Sequence, residues 1–348
     1  MKIGMMAPWN VADGAALHAE LVGREWVKMG HELTVLAPIE ERPILGQDEP
    51  FVVRCYRVDT SPLKGLRPLF LDRHPFLARG YDLFVVHSLT IMPMAELLKL
   101  WPQIKARART MLVFHESGLP PYPDFYRFQW DALICYHQRY LETFAKKFPR
   151  ETMRYVPYPC HPPSPGDKAA ARSRLGLPLD KKVVLSFGFA VHQHLVALPV
   201  LEGLSHGHPL LYLVIASEGG SQLLGEAAAR YSFLECREER PPNDRLYTYL
   251  HAADALLIHK AAYPLDIVVS STAFLCLGSG CPIIMLDAGY ADTFGEEVLK
   301  YRDFLELEEA LIRVFEGYRP PADKLESFFA SHAPTRVASA LLDVVAPL

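Results

Sequence analysis

Cysteine is sparse and unpatterned. The chain has six in 348 residues, Cys55, Cys135, Cys160, Cys236, Cys276 and Cys281, and no two of them form a C-x-x-C pair. That argues against a thiol-based zinc module or a disulfide framework, and leaves reduced core thiols as the expectation. Basic stretches are also missing. With a formal net charge of -4 and no segment dense in Lys or Arg, the sequence lacks the face that grips a phosphate backbone, so no nucleic-acid partner is expected. No uninterrupted apolar run approaches the roughly 18 residues of a membrane span. The opening "MKIGMMAPW" has neither a long apolar core nor a small-residue cleavage site. The expectation is a cytoplasmic protein. Tandem repeats and low-complexity tracts are absent too, and no G-x-G-x-x-G follows the first strand.

Half of the residues are apolar, enough to bury a large core, and the length exceeds the usual single-domain range. Short apolar runs alternate with segments of helical spacing. "KIGMMAP" reads as a strand, "LHAELVGREWVKMG" as a helix and "HELTVLAP" as the next strand; "YDLFVVHS", "RTMLVFHES" and "WDALICYH" are further buried strands. A proline-dense segment at 158–170, "YPCHPPSPGDKAA", interrupts the pattern, which restarts at "KKVVLSFGF". Alternation of this kind predicts two α/β domains, each a parallel sheet with helices on both faces. The expected bounds are 1–160, 161–330, and a closing helical segment 331–348.

In such sheets ligands bind beyond the carboxyl ends of the strands, so candidate residues are those that follow strands. Gly14 lies in the first of these loops, where it serves either a tight turn or close backbone approach to a ligand. His87 ends one predicted strand and His115, with Glu116 beside it, ends another. A neutral imidazole there can bond a sugar hydroxyl, and a charged one can assist a phosphate. Farther on, "HKAAYPLDIVVSSTAFLC" brings Lys260 and Asp266 ahead of Ser270, Ser271 and Thr272 at a predicted helix start. Three hydroxyl residues exceed what one N-cap needs, and with the helix dipole and Lys260 they suit an anion such as a diphosphate. "VHQH" at 191–194 is read as a polar loop, since His192 and His194 have no thiol or carboxylate partners near in sequence; no metal is expected. "RPLFLDRHPFLARG", residues 67–80, mixes Arg with Phe and Leu and suits either a bilayer surface or an exposed acceptor loop. Peripheral contact with the inner membrane surface therefore stays open.

Several stretches resemble GT-B glycosyltransferases of the retaining family-4 type, the group 1 glycosyltransferases. "MKIGMMAPWNVADGAALHAELVGREWVKMGHELTVLAP" is similar to their opening, in which a Gly-Gly loop, a helix and a "GHEVTVL" strand follow one another. "DRLYTYLHAADALLIHK" is similar to their "ELxxLYxxADVFVLPS", and "LGSGCPIIMLDAG" to their "MACGTPVVATDVGG". "FQWDALICYH", "KAAARSRLGLPLDKKVVLSFG" and "HAPTRVASALLDVV" extend the resemblance over nearly the whole chain. It implies two Rossmann-like domains facing across a cleft, with the last helix crossing back to the first domain. It also implies transfer of a sugar, of hexosyl type, from a nucleotide-diphosphate donor to a glycan, lipid-linked or small-molecule acceptor, with retention and no cofactor.

The family's hallmark residues are altered. Where it has "GRLxxxKG", this chain has "GFAVHQHL", with Phe189 and His194 at the Arg and Lys positions; where it has E-x7-E, Ile267 and Leu275 stand. On the resemblance, Gly188, His194, Lys260 and residues 270–272 bind the donor, Asp266 stands one position from the first lost glutamate, His115 falls at the transferred sugar, and Gly14 matches the second glycine of the loop. Losing an Arg and a Lys to phosphate costs a few kcal/mol unless other groups replace them, at about 1.5–3 kcal/mol per charged hydrogen bond. A catalytically silent GT-B protein that partners an active transferase is the alternative. A sugar-nucleotide epimerase ranks last, because carboxylates are few.

Overall fold

The computed structural model describes residues 1–39, 44–58, 69–188, 191–216, 221–260 and 267–345. The chain divides into two compact units, one made of 1–159, 265–271 and 331–348, the other of 160–264 and 272–330.

The first unit contains β1 (Lys2–Met6), α1 (Gly14–Lys28), β2 (Glu32–Pro38), β3 (Val52–Tyr56), α2 (His74–Leu77), β4 (Leu83–His87), α3 (Met94–Lys105), β5 (Arg109–Val113), β6 (Ala132–Cys135), α4 (Gln138–Phe144) and β7 (Met153–Tyr155). Its sheet runs β3-β2-β1-β4-β5-β6-β7, with every pairing parallel. β4 is buried along its whole length, as expected of a central strand covered on both faces. Asp13 starts α1 by accepting hydrogen bonds from the Ala15 and Ala16 amides at 2.7 and 3.3 Å. The helix lays Ala15, His18, Ala19, Val22 and Trp26 inward.

Residues 69–80 join this unit's edge. Leu71 bridges Tyr56, Phe76 of α2 is buried, and Phe70 remains exposed. The expected mixed surface is thus an edge segment in which one of two aromatic residues points to solvent. No helix among the described residues is long and apolar enough to cross a membrane.

In the second unit the order is α5 (Lys168–Leu175), β8 (Lys182–Gly188), α6 (Val191–His194), α7 (Leu198–Ser205), β9 (Leu210–Ala216), α8 (Ser221–Arg230), β10 (Leu234–Glu238), α9 (Asn243–Ala252), β11 (Ala255–Ile258), α10 (Ser271–Cys276), β12 (Ile283–Leu286), β13 (Leu299–Tyr301), α11 (Phe304–Phe315) and α12 (Ala322–Ser331). Its sheet runs β10-β9-β8-β11-β12-β13, again parallel throughout. Tyr212, Leu257, Ile284, Leu201, Leu307 and Leu311 pack into one core.

The last helix, α13 (Pro334–Val345), belongs to the first unit and packs on α1. Trp26 Nε1 donates to the Ala338 carbonyl at 2.9 Å, giving a fully buried indole its one required partner.

Candidate functional site

Each sheet reverses its strand order once, between β1 and β4 in the first unit and between β8 and β11 in the second. Loops diverge at such a point and leave a crevice at the carboxyl ends, which is where open parallel sheets bind ligands.

In the first unit the loops after β1 and β4 carry the two non-glycine residues with positive φ among the described residues, Asn10 (56°) and Ser88 (57°). Left-handed backbone costs an L-residue roughly 1 kcal/mol and is retained where surroundings enforce it. Asn10 is held by its amide to Glu20 Oε1 at 2.8 Å and by its side chain to Asp48 Oδ1 at 2.9 Å. Ser88 turns the chain from His87 into a 3-10 turn.

Histidines fill this end of the sheet. His87 ends β4, His115 lies two residues past β5, and His18 comes in from the second turn of α1, so three rings meet with centroids 5.1 to 5.6 Å apart. His87 Nδ1 is 3.3 Å from His115 Nε2, which is also 2.9 Å from the Tyr136 hydroxyl. Both ring nitrogens of His18 and Nε2 of His87 are buried without a hydrogen-bond partner. Such a group costs about 1–3 kcal/mol. Burial holds the pKa of His18 and His115 well below 6.5 and that of His87 at about 3, so the rings are neutral. Glu116 is buried, and its carboxylate accepts from the Thr90 amide at 3.2 Å and the His115 amide at 3.0 Å, tying two loops together. Burial raises its pKa against those backbone donors.

Gly14 is used for close approach. A Cβ there would lie 2.9 Å from Ser271 Oγ, and the Gly14 carbonyl accepts from the Tyr158 hydroxyl at 2.5 Å. The segment leading to Ser271 is held to this unit by the Ile267 amide, which donates to the Ser117 carbonyl at 3.2 Å. The three hydroxyl residues are less open than the sequence suggests: Ser270 is buried, the Ser271 amide donates to the Val269 carbonyl, and Ser271 and Thr272 are half-buried. Asp266 lies outside the described residues, as does Phe189.

The second unit's switch point is organised by aromatic hydroxyls. The Tyr212 hydroxyl donates to the His194 carbonyl at 2.7 Å and lies 3.0 Å from Ser186 Oγ, which donates to the Leu257 carbonyl at 2.8 Å. This chain fixes β8 to β11 and sets α6 above them. β8 ends at Gly188 with φ 133°, a conformation closed to residues with a Cβ. His259 follows β11, with Nδ1 2.6 Å from the Tyr301 hydroxyl, and the Lys260 ammonium lies 5.8 Å over the Tyr290 ring. Gly188, His194 and Lys260 thus share one end of one sheet. Sequence reasoning missed His18, Tyr136, Tyr290 and Tyr301. A histidine on the apolar stripe of α1 was the available signal for His18; the tyrosines gave none.

Burial draws the His194 pKa down to about 4 from 6.5. Its neutral form therefore stabilises the fold fully above pH 6.5, and the contribution is lost as pH falls toward 4, because the unfolded chain takes the proton first. Wild-type stability should fall by about 2–3 kcal/mol more than that of His194→Asn over this interval. Urea titrations at pH 7 and pH 4.5 measure the difference, and parallel curves would refute it.

No family model matches the chain. Solved structures similar to it include the sucrose-phosphate synthase of Thermosynechococcus elongatus, at 14% identity over 99% of this chain and 98% of that one, with a TM-score of 0.69. The starch synthase IV catalytic domain of Arabidopsis thaliana, bound to ADP and acarbose, is similar at 12% identity over 99% and 98%, TM-score 0.65. HepE of Anabaena, in complex with UDP and glucose, is similar at 15% identity over the full length of both chains, TM-score 0.65. With its two parallel-sheet units and these neighbours, the chain has the GT-B fold.

Proposed function

We propose that the protein is a glycosyltransferase that moves a hexosyl group from a nucleotide-diphosphate donor to an acceptor with retention of configuration, residues 161–330 holding the donor and residues 1–160 the acceptor. The observation that carries this reading is the likeness to glycosyltransferases over 99% of the chain or more, two of them holding ADP or UDP. Polar groups at both switch points agree with it. The donor diphosphate is held by the hydroxyls of Ser271 and Thr272 and by Lys260, with Gly188 giving the backbone room and His194 standing where the family has a lysine. Asp266 contacts the donor sugar. His115 meets the transferred sugar, steadied by the His87 ring and by the Glu116 carboxylate on its amide. Electrostatic support of the departing diphosphate is the main catalytic contribution.

One observation favours a silent binding protein instead. Ile267 and Leu275 occupy the positions of both family glutamates, and Ile267 is buried with its amide already bonded. Calorimetric titration with UDP-, GDP- and ADP-glucose, followed by assays of transfer and slow hydrolysis, separates the readings. Binding with turnover is the expected result. Binding without turnover selects the silent protein, and no heat at millimolar donor ends the transferase reading.

A further inference from the structure

The histidine cluster of the first unit has more nitrogen than its hydrogen bonds use. One nitrogen from each of His18, His87 and His115 lies within 4.8 Å of the other two, and the His87 Nδ1 to His115 Nε2 distance is already 3.3 Å. A tetrahedral ion bonded to nitrogen at about 2.0–2.1 Å sets its ligands about 3.3–3.4 Å apart, so one edge of the polyhedron is in place. The edges to His18 lie within 4.8 Å, and within this cluster His18 is the residue with both nitrogens buried and unpartnered. A cluster built only to hydrogen-bond would have supplied it a donor or acceptor. Tyr136, 2.9 Å from His115 Nε2, stands as fourth ligand or outer partner. His115 is the half-buried member and marks the side of entry. Imidazole without thiolate or carboxylate suits zinc, cobalt, nickel or copper rather than magnesium or calcium.

From this geometry we infer that His18, His87 and His115 form a three-imidazole site for one divalent transition-metal ion of the zinc class. The sequence expectation of no metal rested on His192 and His194, which have no thiol or carboxylate partners near in sequence, and did not extend to these three residues. The site shares His87 and His115 with the position proposed above for the transferred sugar, and an ion there would use their ring nitrogens rather than the residues assigned to the diphosphate.

Chelator-treated full-length protein titrated with Co2+ is the test. The expected result is one Co2+ per chain with the visible absorption of a four-coordinate ion, no near-ultraviolet thiolate band, and displacement by Zn2+. His18→Phe and His87→Phe should each weaken Co2+ binding by at least about 100-fold, beyond the 10–100-fold that loss of an outer partner such as the Tyr136→Phe hydroxyl costs. Absence of Co2+ binding at sub-millimolar concentration overturns the site, as does a thiolate band or unchanged affinity in both variants. Where a variant fails to fold by circular dichroism, the wild-type stoichiometry and spectrum decide. Nucleotide-sugar calorimetry on the same preparation is read independently, so either result can fail without the other.

Discussion

Replacing Asp254 with alanine is expected to destabilise the second unit by about 3–5 kcal/mol, the usual cost of leaving one partner of a buried ion pair alone. Its carboxylate accepts from Arg172 Nη2, Lys168 Nζ and the Val183 amide, each at 2.7 Å. The Arg172 side chain is 5% exposed, and its other nitrogens donate to the carbonyls of Ala252, Pro178, Leu179 and Lys181. Alanine would leave that guanidinium charge buried without a counter-charge. Lys168 is more exposed and contributes little. Burial pushes the Asp254 pKa up, but the Lys168, Val183 and Arg172 interactions outweigh it, so the folded value lies below 3.8. Its stabilisation is therefore present above pH 3.8 and lost as pH falls through the folded value. Urea unfolding of the variant measures the loss, and adding Arg172→Met should restore part of it. A loss under about 1 kcal/mol would show that the pair is not the unit's anchor.

The second large effect concerns the hydroxyl turn. Ser271→Glu should weaken binding of UDP- or ADP-glucose by at least about 100-fold, or about 2.7 kcal/mol. The change removes a hydroxyl donor and sets a carboxylate against the donor's own negative charge. Ser271→Ala, which removes only a neutral hydrogen bond of about 0.5–1.5 kcal/mol, should cost about tenfold or less. Because Ser271 packs close to Gly14, the glutamate could also act through the fold. Thr272→Glu carries the same charge one residue on, and melting curves of both variants separate the two causes. Unchanged affinity in both variants would remove the diphosphate from this turn.

The architecture was legible because its signals are local. β4 reads "LFVVH", an unbroken apolar run that only a strand covered on both faces requires, and it is buried throughout. α1 and α3 show apolar positions at helical spacing and lie where that spacing predicts them. His87 and His115 were identifiable as strand-end residues, and Gly14 as the glycine of the first loop.

What the amino-acid order could not disclose is which of these residues touch. His18 reaches the strand-end histidines only because the sheet sets β4 beside β1, the strand that leads into α1, and β5 next to β4. Ser271 meets Gly14 through folding of a distant segment onto the first unit, where the residue is half-buried. Likewise, the strand register that sets Ala255 beside Val184 brings Asp254 to the Val183 amide, and Arg172 reaches the same carboxylate from α5. Periodicity and turn chemistry act over a few residues, so the sequence by itself determined the elements and the parallel α/β class. Burial, orphaned nitrogens and ion pairing arise from contacts between segments far apart in the chain, and only the tertiary structure decided those.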